Sequence, residues 1–285
     1  TQNVLESDPY KLWDEVEGVT FQMADGIATS LHFDALCEQR VFAHIKYVLR
    51  HNLQNGHTFL PYQKLFDIVR QMLDTDAETV QIAFENMCER KILKRIPVQK
   101  VDAVYLYEYY VSEKYIADRL AQTENVPEDD ISDMEAIIDG LEEKFGIRYA
   151  DKQRLAIRGA VEHSAMLLTG GPGTGKTTTL RGIIELLERL HIKLALCAPT
   201  GRAAKRMSEL CGRPAQTIHR LLEVDAAHRE TYARNEQDPL NVDAVVVDET
   251  SMVDVRLFEA LLRAMRPRTK LILVGDADQL PSVGA

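Results

Sequence analysis

"LLTGGPGTGKTTTL", residues 167–180, decides the fold of the C-terminal half of this chain. It holds G-x-x-x-x-G-K-[ST] at residues 170–177, with an apolar run before it and a helical pattern after it. The glycines let the backbone curl so that successive N–H groups face phosphate oxygens, and the following helix adds its positive end. Lys176 offers a point charge to the β- and γ-phosphates, and Thr177 offers a hydroxyl to Mg²⁺. Gly171, Gly173, Thr174, Gly175 and Thr178 complete the expected ATP-binding loop. A chance glycine-rich turn would require none of this flanking pattern.

The alternation continues outward. Residues 165–169, 192–198, 244–247 and 270–274 read as buried strands, and residues 177–190, 203–210 and 255–265 show helical spacing. Such alternation predicts right-handed crossovers and a parallel sheet covered on both faces. Ligands on such sheets bind at the carboxyl ends of the strands.

Every polar motif of this half falls at such an end. "AVVVDET", residues 244–250, brings three valines to Asp248, placed to hold Mg²⁺, and to Glu249, in reach of a water attacking the γ-phosphate. That adjacent glutamate argues for hydrolysis over transfer to a small substrate. "GDADQ" follows the last strand, and Gln279, able to donate to a phosphate oxygen and accept from a water, is a catalytic sensor candidate. "APTGRAAKRM", residues 198–207, ends a strand and opens a basic helix. Thr200, Gly201, Arg202 and Lys205 suit a nucleic-acid backbone, and Thr217 and His219 of "QTIHRLL" join them at a second turn.

The net charge of −10 is unevenly spread. Residues 124–143 hold nine acids and no Lys or Arg, whereas residues 200–220 carry Arg202, Lys205, Arg206, Arg213 and Arg220 against Glu209 alone. The acidic run reads as a solvated face. Single-strand contact through phosphates needs little net charge elsewhere, so the overall sign is no obstacle. The composition is that of a soluble globular protein, with 45 % hydrophobic and 27 % charged residues, and nothing in it suggests a membrane span or signal peptide. The four cysteines form no C-x-x-C pair, so reduced thiols in a cytoplasmic protein are expected.

The first half is mostly helical. Residues 9–16 and 22–31 predict two short helices with Leu12, Val16, Ala24, Ile27 and Leu31 as their apolar seam. Helices at 42–52, 62–73 and 77–90, the extended "GHTFLP" and the strands "KILKRI" and "AVYLY" follow the order of a winged-helix domain. "TENVPEDD" is the expected linker.

Taken together, "LLTGGPGTGKTTTL", "APTGRAAKRM", "TIHRLL", "VVVDETSMVD" and "LVGDADQLPSVG" resemble the superfamily 1 DNA helicases of the RecD/TraA type, particularly the long-form RecD-like helicases. The resemblance implies an α/β fold: a RecA-like P-loop NTPase lobe with a parallel sheet, preceded by helical N-terminal modules. It implies ATP and Mg²⁺ use, movement 5′ to 3′ on single-stranded DNA or at a single-strand/duplex junction, and a place in DNA repair or recombination. Exodeoxyribonuclease V alpha-subunit-like proteins share the pattern, but no carboxylate cluster here supports a nuclease. "YADKQRLAI" looks like the family's motif upstream of the loop, where Gln153 would read the adenine. Thr250 stands where the family generally has Ala, a change that should be tolerated.

Within the same resemblance, residues 1–38 look like a helix-hairpin-helix module, 39–122 a winged-helix-like domain, 123–147 an acidic linker or helix, and 148–285 the first motor lobe. Thr20 replaces the hairpin's usual second glycine, which favours a structural role. A DNA-repair protein is a candidate partner for this half. The chain reads as a fragment that stops before a second lobe, expected to bind ATP–Mg and turn it over poorly. Two rivals are a P-loop kinase or GTPase, opposed by "DETSM" and "GDADQLPSVG", and a non-catalytic, nucleotide-regulated DNA-binding adaptor.

Overall fold

The computed structural model describes residues 7–123, 133–171, 173–225, 231–276 and 285. Two compact units divide between Val111 and Ser112. Among the described residues no helix is long and apolar enough to cross a membrane.

The first unit contains α1 (Lys11–Glu15), α2 (Phe21–Ser30), α3 (Glu38–Gln54), β1 (Phe59–Pro61), α4 (Tyr62–Leu73), α5 (Ala77–Glu89), β2 (Leu93–Val98) and β3 (Val101–Leu106). The strands form an antiparallel sheet in the order β1-β3-β2. From α3 onward the element order is the one the sequence predicts. Val41, Ile45 and Leu49 lie one helical turn apart on α3 and meet Leu65, Val69, Phe84 and Met87 in one core.

The expected seam of α1 and α2 is used only in part: Ala24 is buried and Leu12 and Ile27 are half-buried, but Val16 and Leu31 are each 46 % exposed. Phe21 displaces them. Its ring stacks on Tyr47 at 4.4 Å and meets His44 edge-on at 4.8 Å, which turns Phe21, Ala24 and Ala28 inward. Thr20 is extended (φ −85°, ψ 162°) and its Oγ1 accepts the Met23 N–H as a helix cap. The left-handed residue of this loop is Gly18 at φ 88°, so position 20 does not require glycine.

Helix α6 (Tyr107–Thr123) crosses the division. From Ser112 onward it belongs to the second unit, where Tyr115, Ile116 and Leu120 pack on the core, so the boundary expected at 122 lies earlier. There follow α7 (Met134–Phe145), α8 (Asp151–Glu162), β4 (Ala165–Thr169), α9 (Lys176–Arg189), β5 (Leu194–Ala198), α10 (Gly201–Cys211), β6 (Gln216–Thr217), α11 (Ile218–Leu221), β7 (Ala244–Val247), α12 (Val255–Ala264) and β8 (Lys270–Gly275). The five strands run parallel in the order β4-β8-β7-β5-β6.

Alternation across this sheet is regular. Val245, Val247 and Leu271 enter one core with Leu257 and Leu261, while Val246 and Ile272 enter the other with Ile183, Leu187 and Met207. This is the α/β, RecA-like lobe the motifs predict. Strand β4 is an edge strand and leaves Leu167 62 % exposed, against the expectation of a buried strand.

The acidic stretch is more than a linker. Most of "TENVPEDD" lies outside the described residues, but α7 buries Met134, Ile138 and Leu141 in the lobe's core. Its acids are also occupied. Glu135, Asp139 and Glu142 converge on the Arg154 guanidinium of α8 at 2.8, 2.6 and 2.8 Å.

Candidate nucleotide and nucleic-acid site

Strand register brings the motifs together. Thr169 pairs with Gly275, Val247 with Leu273 and Cys197, and Ala198 with Thr217. The loops after β4, β5, β7 and β8 and the turn after β6 therefore leave one edge of one sheet. Gln279 lies outside the described residues.

The loop after β4 delivers Lys176 and Thr177 to the first turn of α9. Thr177 and Thr178 are exposed there, with hydroxyls open to a ligand. Gly175 is left-handed (φ 84°), a backbone that strains any other residue, and a Cβ on it would lie 2.4 Å from Gln153 Nε2 and push that side chain aside. Gln153 thus does sit against the phosphate loop. Its Oε1 accepts the Ala150 N–H at 3.0 Å, which fixes the amide at the start of α8. Thr174 Oγ1 bonds the Gly171 carbonyl at 2.9 Å, and Gly173 is also left-handed (φ 77°). The Lys176 ammonium turns onto the carbonyls of Gly170 and Gly171 and lies 3.5 Å from Asp276 Oδ2, a buried carboxylate.

The end of β7 is held firmly. The Asp248 N–H donates to the Cys197 carbonyl at 2.9 Å, and Asp248 Oδ1 accepts the Glu249 N–H at 2.9 Å. Burial raises the Asp248 carboxyl above the usual aspartate range, while the Glu249 amide and the charges of Arg206 and Lys176 pull it back down. Glu249 itself is left-handed (φ 53°, ψ 43°), a strained backbone for a glutamate. Thr250 closes the turn, its Oγ1 lying 3.2 Å from the Val247 carbonyl and 3.0 Å from that of Val274, and so ties β7 to β8.

Loop and turn enclose a cavity of about 430 Å³ lined by Gly173, Lys176, Thr177, Asp248, Glu249 and, from α10, Arg206. Backbone amides, one ammonium, one hydroxyl and one carboxylate are the donor set that a Mg²⁺-bound polyphosphate takes, so these residues fit ATP and Mg²⁺. Cys211 also lines the cavity, but burial, with Asp248 adding to it, pushes its thiol up to about 11, and it stays protonated at neutral pH.

None of the expected nucleic-acid residues lines this cavity: Thr200, Gly201, Arg202 and Lys205 sit on α10 and its N-cap, and Thr217 and His219 line a separate cavity of about 710 Å³. Thr200 caps α10 by accepting the Ala203 N–H at 3.2 Å, and Thr217 caps α11 by accepting the Arg220 N–H at 3.2 Å. Each cap fixes the oxygen and leaves the hydroxyl proton for a phosphate. Gly201, Arg202, Lys205 and His219 are exposed. Lys205 reaches Glu209 only at 4.0 Å, a loose surface pair. Arg213 drops out of the basic set because Glu188 grips it through two 2.6 Å bonds. Arg206 faces the nucleotide cavity instead, a role that its place in the basic run did not reveal.

The AAA domain family matches residues 153–285, and the ATP-dependent RecD2 DNA helicase HHH domain matches residues 1–59. The ATP-dependent RecD2 DNA helicase of Deinococcus radiodurans is 32 % identical over 291 residues, which cover 99 % of this chain and 40 % of that protein. The chain belongs to the RecD-type helicase family. Other RecD proteins match it over shorter spans. The RecBCD enzyme subunit RecD of Mycolicibacterium smegmatis is 36 % identical, with 68 % of this chain and 38 % of that subunit covered. Its Haemophilus influenzae counterpart is 40 % identical, with 47 % and 25 % covered. The chain thus spans less than half the length of these relatives.

Proposed function

We propose that the protein works as an ATP-dependent DNA helicase, with a motor that moves 5′ to 3′ on single-stranded DNA in DNA repair or recombination. The observation that carries this reading is the convergence, at one edge of one sheet, of a phosphate loop, an Asp–Glu pair and a row of phosphate-binding hydroxyls and cations. The amides of Gly171, Gly173, Thr174 and Gly175, with Lys176, hold the β- and γ-phosphates. Thr177 and Asp248 would hold Mg²⁺, which when bound would supply charge neutralisation to the phosphates. Glu249 orients the attacking water and takes its proton, and Gln279 senses the γ-phosphate.

Thr200, Gly201, Arg202, Lys205, Thr217 and His219 grip the sugar-phosphate backbone, and sequence-independent contacts of that kind suit a translocating motor. Gln153 sits at the nucleotide loop for the base, and the N-terminal half serves as the docking part for junction DNA or a repair protein.

Strand displacement on forked duplexes with either a 5′ or a 3′ tail tests the reading. Unwinding should require ATP and the 5′ tail and vanish in Lys176→Ala. DNA binding that persists in Lys176→Ala while the wild type unwinds neither fork would favour the adaptor instead.

A further inference from the structure

The basic run on α10 serves two sites. Ala203, Ala204, Met207 and Cys211 are buried and fix the rotation of the helix. The remaining positions form one polar face on which Lys205, Arg202 and Arg206 follow one another around the axis, with Arg206 and Leu210 at the edge that borders the nucleotide cavity. Arg202 and Arg206 stand one turn apart on that face.

Arg206 differs from Lys176 and Arg213. Lys176 is engaged by the carbonyls of its own loop and by Asp276, and Arg213 by Glu188. Arg206 forms no hydrogen bond or ion pair among the described residues, yet it lines the same cavity as Lys176, Asp248 and Glu249. A planar guanidinium left open beside a phosphate loop is suited to bidentate contact with a phosphate oxygen pair, which an ammonium does not match.

We infer that Arg206 is a nucleotide-contacting residue that ties the ATP site to the DNA-gripping face of α10. This rests on the nucleotide-site reading above. A phosphate drawn to Arg206 pulls on the same short helix that presents Arg202 and Lys205. Nucleotide and DNA affinities are then linked through α10, and linkage of this kind is reciprocal.

The test measures binding of a non-hydrolysable ATP analogue with Mg²⁺, and of oligo-dT with and without that analogue. Arg206→Ala should weaken the analogue by about tenfold, the scale of one charge-assisted contact. Oligo-dT binding without nucleotide should stay within about twofold of wild type, and the factor by which the analogue changes it should fall toward one. Arg206→Gln, which keeps a polar end, should behave like the alanine. Arg202→Ala should weaken oligo-dT in both states.

Unchanged analogue affinity in both Arg206 variants would overturn the inference. So would an equal loss of oligo-dT affinity with and without nucleotide, which would make Arg206 a DNA contact only. Analogue binding that survives Lys176→Ala would instead bring down the nucleotide-site reading itself.

Discussion

The two units use their charges in opposite ways. In the first, Arg40 pairs with Asp25, Lys46 and Arg50 with Asp14, Arg90 with Glu38 and Arg95 with Asp102. Arg50 and Arg95 also lie over the rings of Trp13 and Tyr62. These cations are answered inside the unit and help hold a small core together. In the second, Arg154, Arg234 and Arg263 are answered in the same way, although Arg234 lines the cavity that also holds Thr217 and His219. At the carboxyl ends of the strands, Arg202, Arg206 and Arg220 have no ion pair among the described residues. Charge left uncompensated on a rigid frame marks where an anionic ligand belongs, and charge compensated within the fold marks architecture.

The strongest way to break this contrast is at Glu249, the proposed general base. Glu249→Gln should lower ATP turnover by about a thousandfold while nucleotide binding persists, since only proton transfer and water orientation are removed. Turnover that stayed within tenfold would place the base elsewhere.

Next in size is α7, in the stretch read as an acidic linker or helix. Ile138→Ala removes a fully buried side chain from the lobe's core and should cost the second unit about 2–5 kcal/mol. Hydrogen exchange should rise in β7 and β8 and stay unchanged in α3 to α5. Equal protection in the wild type and in Ile138→Ala would return α7 to the role of a linker.

The first unit should show its dependence on paired charge as a pH effect. Burial acts to raise the Asp25 carboxyl, but hydrogen bonds from Arg40 and Tyr10 outweigh it and hold it below its ordinary 3.8. The stabilisation is therefore complete above that value and is lost as pH falls through the lower folded one. Burial likewise lowers the His44 imidazole, whose Nδ1 meets the Arg40 carbonyl at 2.8 Å, so this unit also weakens as pH drops below the usual histidine value of 6.5. In acid titrations Asp25→Asn should flatten the lower limb only, and a wild-type limb left intact by that change would contradict the assignment.

The smaller effects lie at the site's edges. Lys205→Ala should weaken single-stranded DNA alike across sequences and reduce the salt slope by about one. Thr250→Ala should cut turnover by about threefold through loss of the β7–β8 hydroxyl tie, and Thr250→Ser should restore it, at the scale of one neutral hydrogen bond.

Much of the second unit was legible because its motifs need particular residue types beside strand ends: glycine where φ is positive, Lys176 and Thr177 at a helix start, Asp248 after three valines. What escaped was set by packing. The spacing of Met134, Ile138 and Leu141 was visible, but surrounding acids masked it. Sheet order, which makes β4 an edge and exposes Leu167, is not written in any single strand. The side on which Arg206 falls depends on which face of α10 is buried. In the first unit, aromatic bulk at Phe21 overrode a plausible aliphatic seam, because a large ring buries more surface than Val16 or Leu31.

The most direct test is steady-state ATP hydrolysis by the whole protein to which this chain belongs, with and without single-stranded DNA, in the wild type and in Lys176→Ala. Turnover that rises strongly with DNA and falls at least about a hundredfold in Lys176→Ala is the expected result, because both ligands meet at one sheet edge. Hydrolysis indifferent to DNA would contradict it, and would leave Arg202, Lys205 and their neighbours as an ordinary solvated face.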